Sequence, residues 1–188
     1  LFRSVVALLR SLGIEFELIV INDGSVDETR VVTENLCLRT PELVLLNLSR
    51  NFGKEAALTA GLEVALGNAV LLMDADGQHP AELVPQMLEH WKNGIDVVYA
   101  VRQHREDQSV LHGWLTCCFY RLINWGNRMH IPAHAGDFRL MDRCVVEALL
   151  SMPERNRFVK GMYAWVGCTS MSVDYLPLPR HQGKSHFG

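Results

Sequence analysis

The sequence has no Gly-x-Gly-x-x-Gly fingerprint and no Gly-x-x-x-x-Gly-Lys-Ser/Thr loop. Their absence argues against dinucleotide-binding and phosphate-loop enzymes. Its five cysteines (Cys37, Cys117, Cys118, Cys144 and Cys168) form no Cys-x-x-Cys pair and no zinc spacing, so reduced thiols are expected rather than a disulfide framework. No apolar run reaches the roughly 18 to 20 residues of a membrane-spanning helix, which leaves only peripheral contact with a bilayer. No secretory leader is recognisable, and the chain enters a helical pattern directly from Leu1, which reads as an N-terminal truncation. Repeats and low-complexity tracts are also missing. At 188 residues, 48% hydrophobic and 21% charged, the chain is expected to bury one core as a single domain over residues 1–188.

Net charge is small, but it is unevenly spread. Residues 1–94 hold 7 Lys/Arg against 13 Asp/Glu, and residues 95–188 hold 11 against 8, so a formal charge of -3 divides into -6 and +3. Of the 18 basic residues 14 are Arg, nine of them in the second half, a bias that suits planar recognition of phosphate. Nucleic acid is not an expected partner.

What the chain does contain is a regular alternation. Helical apolar spacing in residues 2–12 is followed by strands at 16–22, 42–48, 69–73 and 96–101, with helices at 26–39, 53–66 and 81–93 between them. This order predicts an α/β fold with a mostly parallel central sheet. Beyond residue 110 the alternation weakens, to a short strand at 138–141, helices at 142–151 and 157–166, and a strand within 168–178. Residues 110–129 interleave Trp114, Phe119 and Trp125 with Arg121 and Arg128. That pattern fits either an amphipathic helix on a membrane surface, spanning about 110–131, or a core helix with a wide apolar face.

The apolar run 69–73 ends abruptly in Asp74-Ala75-Asp76-Gly77-Gln78-His79-Pro80. Ligands on parallel sheets bind beyond the carboxyl ends of the strands. Two carboxylates and the Gln78 amide oxygen there offer hard ligands for Mg²⁺ or Mn²⁺ carrying substrate phosphates. A turn that uses Asp and Gly for their backbone habits is the lesser alternative.

Asp23-Gly24-Ser25 also follows a strand and opens a helix, where a carboxylate can meet a base or ribose. Ser49-Arg50-Asn51-Phe52-Gly53-Lys54 brings two cations to another helix start. Gly136-Asp137-Phe138-Arg139-Leu140 supplies an acid that can act as base or orient a nucleophile, unless Asp137 and Arg139 simply form a buried ion pair. Arg102 and Arg105 stand at the sheet's carboxyl edge. The segment from Arg180 to Ser185 has the composition of a flap that closes on a diphosphate, or of a disordered terminus.

Together these segments resemble the inverting, metal-dependent glycosyltransferases of family 2, with the GT-A nucleotide-diphospho-sugar transferase fold. The subgroup most similar transfers sugar to polyprenyl phosphate, as bactoprenol glucosyltransferases and dolichol-phosphate mannosyltransferases do. The likeness runs in order through residues 14–188. It takes in Ile21 to Ser25, Ser49 to Glu55, Asp74 to Pro80, Gly136 to Met141, Pro153 to Phe158 and Trp165 to Gly167.

The resemblance implies a UDP-glucose or GDP-mannose type of donor and a polyprenyl phosphate acceptor at the cytoplasmic membrane face. It implies that Asp23, Gly24, Ser25, Lys54 and Asp74 contact the donor, with Arg180 and Ser185 closing over its diphosphate. Asp76 and Gln78 would hold Mg²⁺ or Mn²⁺. Asp74 and Asp137 would orient the reactants, and Arg102, Arg121 and Arg139 would meet the acceptor phosphate. It also leaves room for self-association and for membrane helices after Gly188.

Two departures stand out. The Pro-x-Tyr/Phe-Asn-Glu strand that opens family members is not present, and Gly77 replaces a more usual Leu, which is expected to loosen the loop. A non-catalytic remnant of the same fold is one competing expectation. A phosphohydrolase of the haloacid-dehalogenase type is another, with Asp74 as nucleophile, Asp76 as acid/base and a later Gly136, Asp137, Asp142 set. Gln78 stands where that class favours Thr or Val, and two strand–helix units precede the motif.

Overall fold

The computed structural model describes residues 2–102, 135–152 and 168–176. Its elements are α1 (Phe2–Ser11), β1 (Leu18–Asn22), α2 (Thr29–Cys37), β2 (Leu43–Asn47), α3 (Lys54–Val64) and β3 (Ala69–Leu72). A 3₁₀ turn (Ala81–Leu83), α4 (Val84–Lys92), β4 (Val97–Arg102), β5 (Ala135–Asp142), α5 (Arg143–Ser151) and β6 (Ser170–Tyr175) follow. The expected helix 110–129 and its membrane-surface reading, the helix 157–166, and the end of the chain lie outside the described residues.

Alternation held where local pattern dictates it, with ends trimmed. Helix 26–39 starts only at Thr29, because Asp27 Oδ1 accepts the Thr29 amide hydrogen (3.0 Å) and keeps residues 26–28 as a bend. Helix 81–93 opens as a 3₁₀ turn behind Pro80, whose fixed φ and missing N–H suit a helix entrance. Asp142 caps α5 by accepting from the Cys144 amide.

The strands form two sheets. One pairs β1 with β2 in parallel, and the other has the order β3-β5-β4-β6. In the second sheet β5 is antiparallel to both β3 and β4, and β6 is parallel to β4. Thus β3, β4 and β6 point one way and only β5 opposes them, but because β5 lies between β3 and β4 two of the three pairings are antiparallel, and the sheet is mixed rather than mostly parallel. The short strand expected at 138–141 is this eight-residue reversed strand. Among the described residues, β1 and β3 each have one partner, and an apolar cavity of about 340 Å³ between them is lined by Ile19, Ile21, Leu58, Leu62, Val70 and Leu72.

Residue alternation divides the second sheet between two cores. Leu72, Val97 and Met141 face α3 and α5, packing with Leu62, Val145, Val146 and Leu149. Val98, Ala100, Phe138, Leu140 and Val173 face α4 and pack with Val84 and Met87. Phe138 is fully buried, and burying such a side chain contributes about 2 to 3 kcal/mol. This wall fixes β5, which carries Asp137 on the opposite face, next to the carboxyl end of β3.

Candidate active site

The loop after β3 is organised by its own side chains. Asp76 Oδ1 accepts the Gln78 amide hydrogen at 3.0 Å, and Gly77 sits at φ +76°, a left-handed conformation that glycine adopts without steric cost. The glycine expected to loosen this loop therefore lets it turn tightly. Asp74 N–H donates to His79 Nδ1 at 3.1 Å, closing the turn five residues on.

His79 is buried and stacks on Phe138, with Tyr175 edge-on to both rings at 6.2 Å. Burial pushes the imidazole below its ordinary pKa more strongly than Asp74 and Asp76 raise it. A neutral ring is what an Nδ1 acceptor requires.

Lys54, the first residue of α3, reaches across to this loop. Its Nζ lies 2.7 Å from Asp74 Oδ1 and 2.6 Å from Asp137 Oδ2. The structure thus unites three residues from three separate motifs. Burial lowers the ammonium's pKa, but hydrogen bonds to Asp137 and Asp74 outweigh it and leave the group above the ordinary lysine value.

The Asp23 turn anchors the neighbouring loop. Its carboxylate accepts the amide hydrogens of Phe52 (2.8 Å) and Gly53 (2.9 Å), so both oxygens hold the loop that launches α3. A Cβ on Gly24 would lie 2.4 Å from the backbone of Arg50 and Asn51, which is why these loops can touch. Asn22 supports the turn by donating to Asn47 Oδ1 and accepting the Ser25 amide hydrogen. Ser25 is exposed, and Arg50 stacks over Phe52 at 4.8 Å.

Of the expected acceptor cations, Arg102 is exposed at the end of β4, beside Tyr175 of β6. Arg139 is only 3% exposed within β5, a burial at odds with direct contact to a lipid phosphate. Arg121, Arg180 and Ser185 lie outside the described residues, as does Arg105. Sequence reasoning gave no role to His79, Phe138, Tyr175 or Asn22. His79 stood inside the acidic motif and Phe138 between two charges, but neither position discloses a stacking partner.

Among the described residues no three His, Cys, Asp or Glu side chains form a metal cage. Asp76 and Gln78 are both partly exposed on one tight turn. One carboxylate and one amide oxygen fit Mg²⁺ or Mn²⁺, which keep several waters and take substrate phosphates as remaining ligands.

Against this geometry stand the comparisons with known proteins. The model for glycosyl transferase family 2 matches residues 1–150. The chain belongs to glycosyl transferase family 2. Membership sets aside the phosphohydrolase reading of Asp74 and Asp76. The family-2 chain is 42% identical over 185 residues to an uncharacterized glycosyltransferase of Synechocystis sp., covering 98% of this chain and 58% of that protein. It is 42% identical over 173 residues to the prophage bactoprenol glucosyl transferase homolog of Escherichia coli K12, covering 92% and 56%. The chain thus spans a little over half the length of these relatives.

Solved structures share its GT-A fold. A mannosyltransferase from Pyrobaculum calidifontis, in complex with GDP-Man and Mn²⁺, gives a TM-score of 0.61 at 16% identity, covering 90% of this chain and 49% of that one. Glucosyl-3-phosphoglycerate synthase from Mycobacterium tuberculosis, with Mn²⁺, UDP-Glc and glycerol 3-phosphate, gives 0.56 at 19%, covering 89% and 62%. The expected fold is therefore correct.

Proposed function

We propose that this family-2 chain carries the catalytic site of an inverting, metal-dependent hexosyltransferase. It moves sugar from a nucleoside diphosphate donor of the UDP-glucose or GDP-mannose type to a polyprenyl phosphate at the cytoplasmic membrane face. The observation that carries the reading is the convergence of Asp74, Asp137 and Lys54 beside the Asp76–Gln78 turn. Similarity to bactoprenol glucosyl transferases supports the acceptor class.

Asp76 and Gln78 would hold Mg²⁺ or Mn²⁺, which supplies electrostatic stabilisation of the departing nucleoside diphosphate. An acceptor phosphate oxygen attacks the anomeric carbon from the face opposite the diphosphate, the anomeric C–O bond breaks, and its electron pair leaves with the diphosphate. The acceptor is already ionised at neutral pH, so Asp137 need not remove a proton. It orients the reactants, and Asp74 steadies the donor sugar. Asp23, Gly24 and Ser25 form the nucleotide side of the site, and Arg102 offers an exposed cation to the acceptor phosphate. Arg121 is assigned to the same phosphate, and Arg180 and Ser185 to the donor diphosphate.

The test is sugar transfer from a panel of nucleotide sugars to a short-chain polyprenyl phosphate, with and without Mn²⁺. Metal-dependent transfer that Asp76→Asn abolishes is expected. If every donor fails, in this chain and in one extended to the relatives' length, the transferase reading falls and the remnant reading takes its place.

A further inference from the structure

Lys54 occupies an electrostatically awkward place for a helix. It is the first residue of α3, where the macrodipole disfavours a positive charge. Helix formation therefore gives no reason for a lysine there. Its partners do. The ammonium joins a carboxylate from the loop after β3 to one from β5, at 2.7 and 2.6 Å, distances typical of charge-assisted hydrogen bonds.

Asp74 Oδ1 and Asp137 Oδ2 can be no further apart than those two contacts laid end to end, and Asp76 follows Asp74 by two residues. Acidic groups this close repel one another unless a cation lies between them. They also form the oxygen-rich environment that divalent cations prefer. Side-chain exposures of 49% for Lys54, 35% for Asp74 and 23% for Asp137 leave the cluster open to solvent ions.

We propose that Lys54 is a resident counter-cation that withholds Asp74 and Asp137 from the divalent metal, confining it to Asp76 and Gln78 and leaving both other carboxylates aligned for the reactants. This inference rests on the metal-dependent reading above and adds a positioning role to it. Lysine suits the task because its compact charge on a flexible stem reaches both acids at once. Without it, a metal drawn between Asp74 and Asp137 would sit away from the Asp76–Gln78 turn, and the acids would be turned from the sugar.

The experiment titrates Mn²⁺ into the donor-free chain and follows free Mn²⁺ by electron paramagnetic resonance. It compares wild type, Lys54→Met, Lys54→Gln, Lys54→Arg and the Lys54→Met/Asp137→Asn double variant, with circular dichroism confirming each fold. Loss of the ammonium is expected to tighten Mn²⁺ binding about tenfold. Arginine should restore the wild-type value, and the double variant should return most of the way to it. In the transfer assay, Lys54→Met should lower kcat more than it raises the donor KM.

Unchanged or weaker Mn²⁺ binding in whichever of Lys54→Met and Lys54→Gln keeps its fold would overturn the inference, as would tightening that survives in the double variant. A wild-type chain without transfer activity would count against the proposed reaction alone, since the Mn²⁺ titrations still decide the role of Lys54.

Discussion

The imidazole of His79 lies flat on the ring of Phe138, with 4.8 Å between centroids and 9° between planes. Through this stack the fully buried β5 aromatic holds the ring that accepts the Asp74 amide hydrogen. A hydrophobic wall thus sets the height of the Asp74 backbone above the sheet.

Protonating His79 should unfold this arrangement. Its folded pKa lies below the ordinary 6.5, so its stabilising contribution is complete above that value and is lost as pH falls from about 6.5 through the depressed folded pKa. His79→Phe keeps an aromatic ring and removes the titration. Urea unfolding between about pH 5 and pH 7.5 should show a flatter profile for the variant, with a plateau about 1 kcal/mol lower from the lost Asp74 acceptor. Parallel profiles would refute the assignment.

Asp23 and Gly24 should prove structural as much as ligand-binding. Asp23→Ala strips acceptors from the Phe52 and Gly53 amides and should cost about 1 to 3 kcal/mol. Gly24→Ala places a methyl 2.4 Å from the Arg50 and Asn51 backbone at φ +68°, and should cost about 2 to 3 kcal/mol. Both are measured by urea midpoint. A stable Gly24→Ala variant would mean the two loops do not touch.

Cys144 should react slowly although it is exposed. A hydrogen bond to Asp142, with help from burial, pushes its thiol up to about 11. At pH 8 iodoacetamide should label it about 100-fold more slowly than an ordinary thiol. Asp142→Asn keeps a good helix cap and should speed labelling, read by mass spectrometry of the Cys144 peptide. Ordinary reactivity in the parent chain would contradict the Asp142–Cys144 pairing.

Metal requirement should map to the Asp76–Gln78 turn. Chelation should stop transfer and Mn²⁺ should restore it. Gln78→Ala should raise the Mn²⁺ concentration for half-maximal rate about tenfold or more while leaving the fold intact. A variant saturating at the parental concentration would remove Gln78 from the metal's ligands.

Much of this site was legible along the chain because its parts are local. An apolar run closing on Asp74-Ala75-Asp76, and turns at Asp23-Gly24 and Gly53-Lys54, each announce a strand end or a helix start within a few residues. The reversed direction of β5 was not legible, since alternation at 138–141 has the same period in either direction. Nor was the structural role of Asp23, whose acceptance of the Phe52 and Gly53 amides depends on a loop almost thirty residues away. Arg139 looked open to an anion in a motif rich in polar neighbours, yet its strand is interior.

By itself the sequence determined the order of strands and helices, the acidic turn beyond β3 and the family, because periodicity, turn chemistry and motif order are properties of neighbouring residues. Only the tertiary structure decided that Lys54 takes Asp74 and Asp137 together while Asp76 folds its carboxylate back on the Gln78 amide. That choice depends on β5 entering the sheet antiparallel beside β3, in a register that sets Leu72 opposite Arg139 and so brings Asp137 level with the loop after β3.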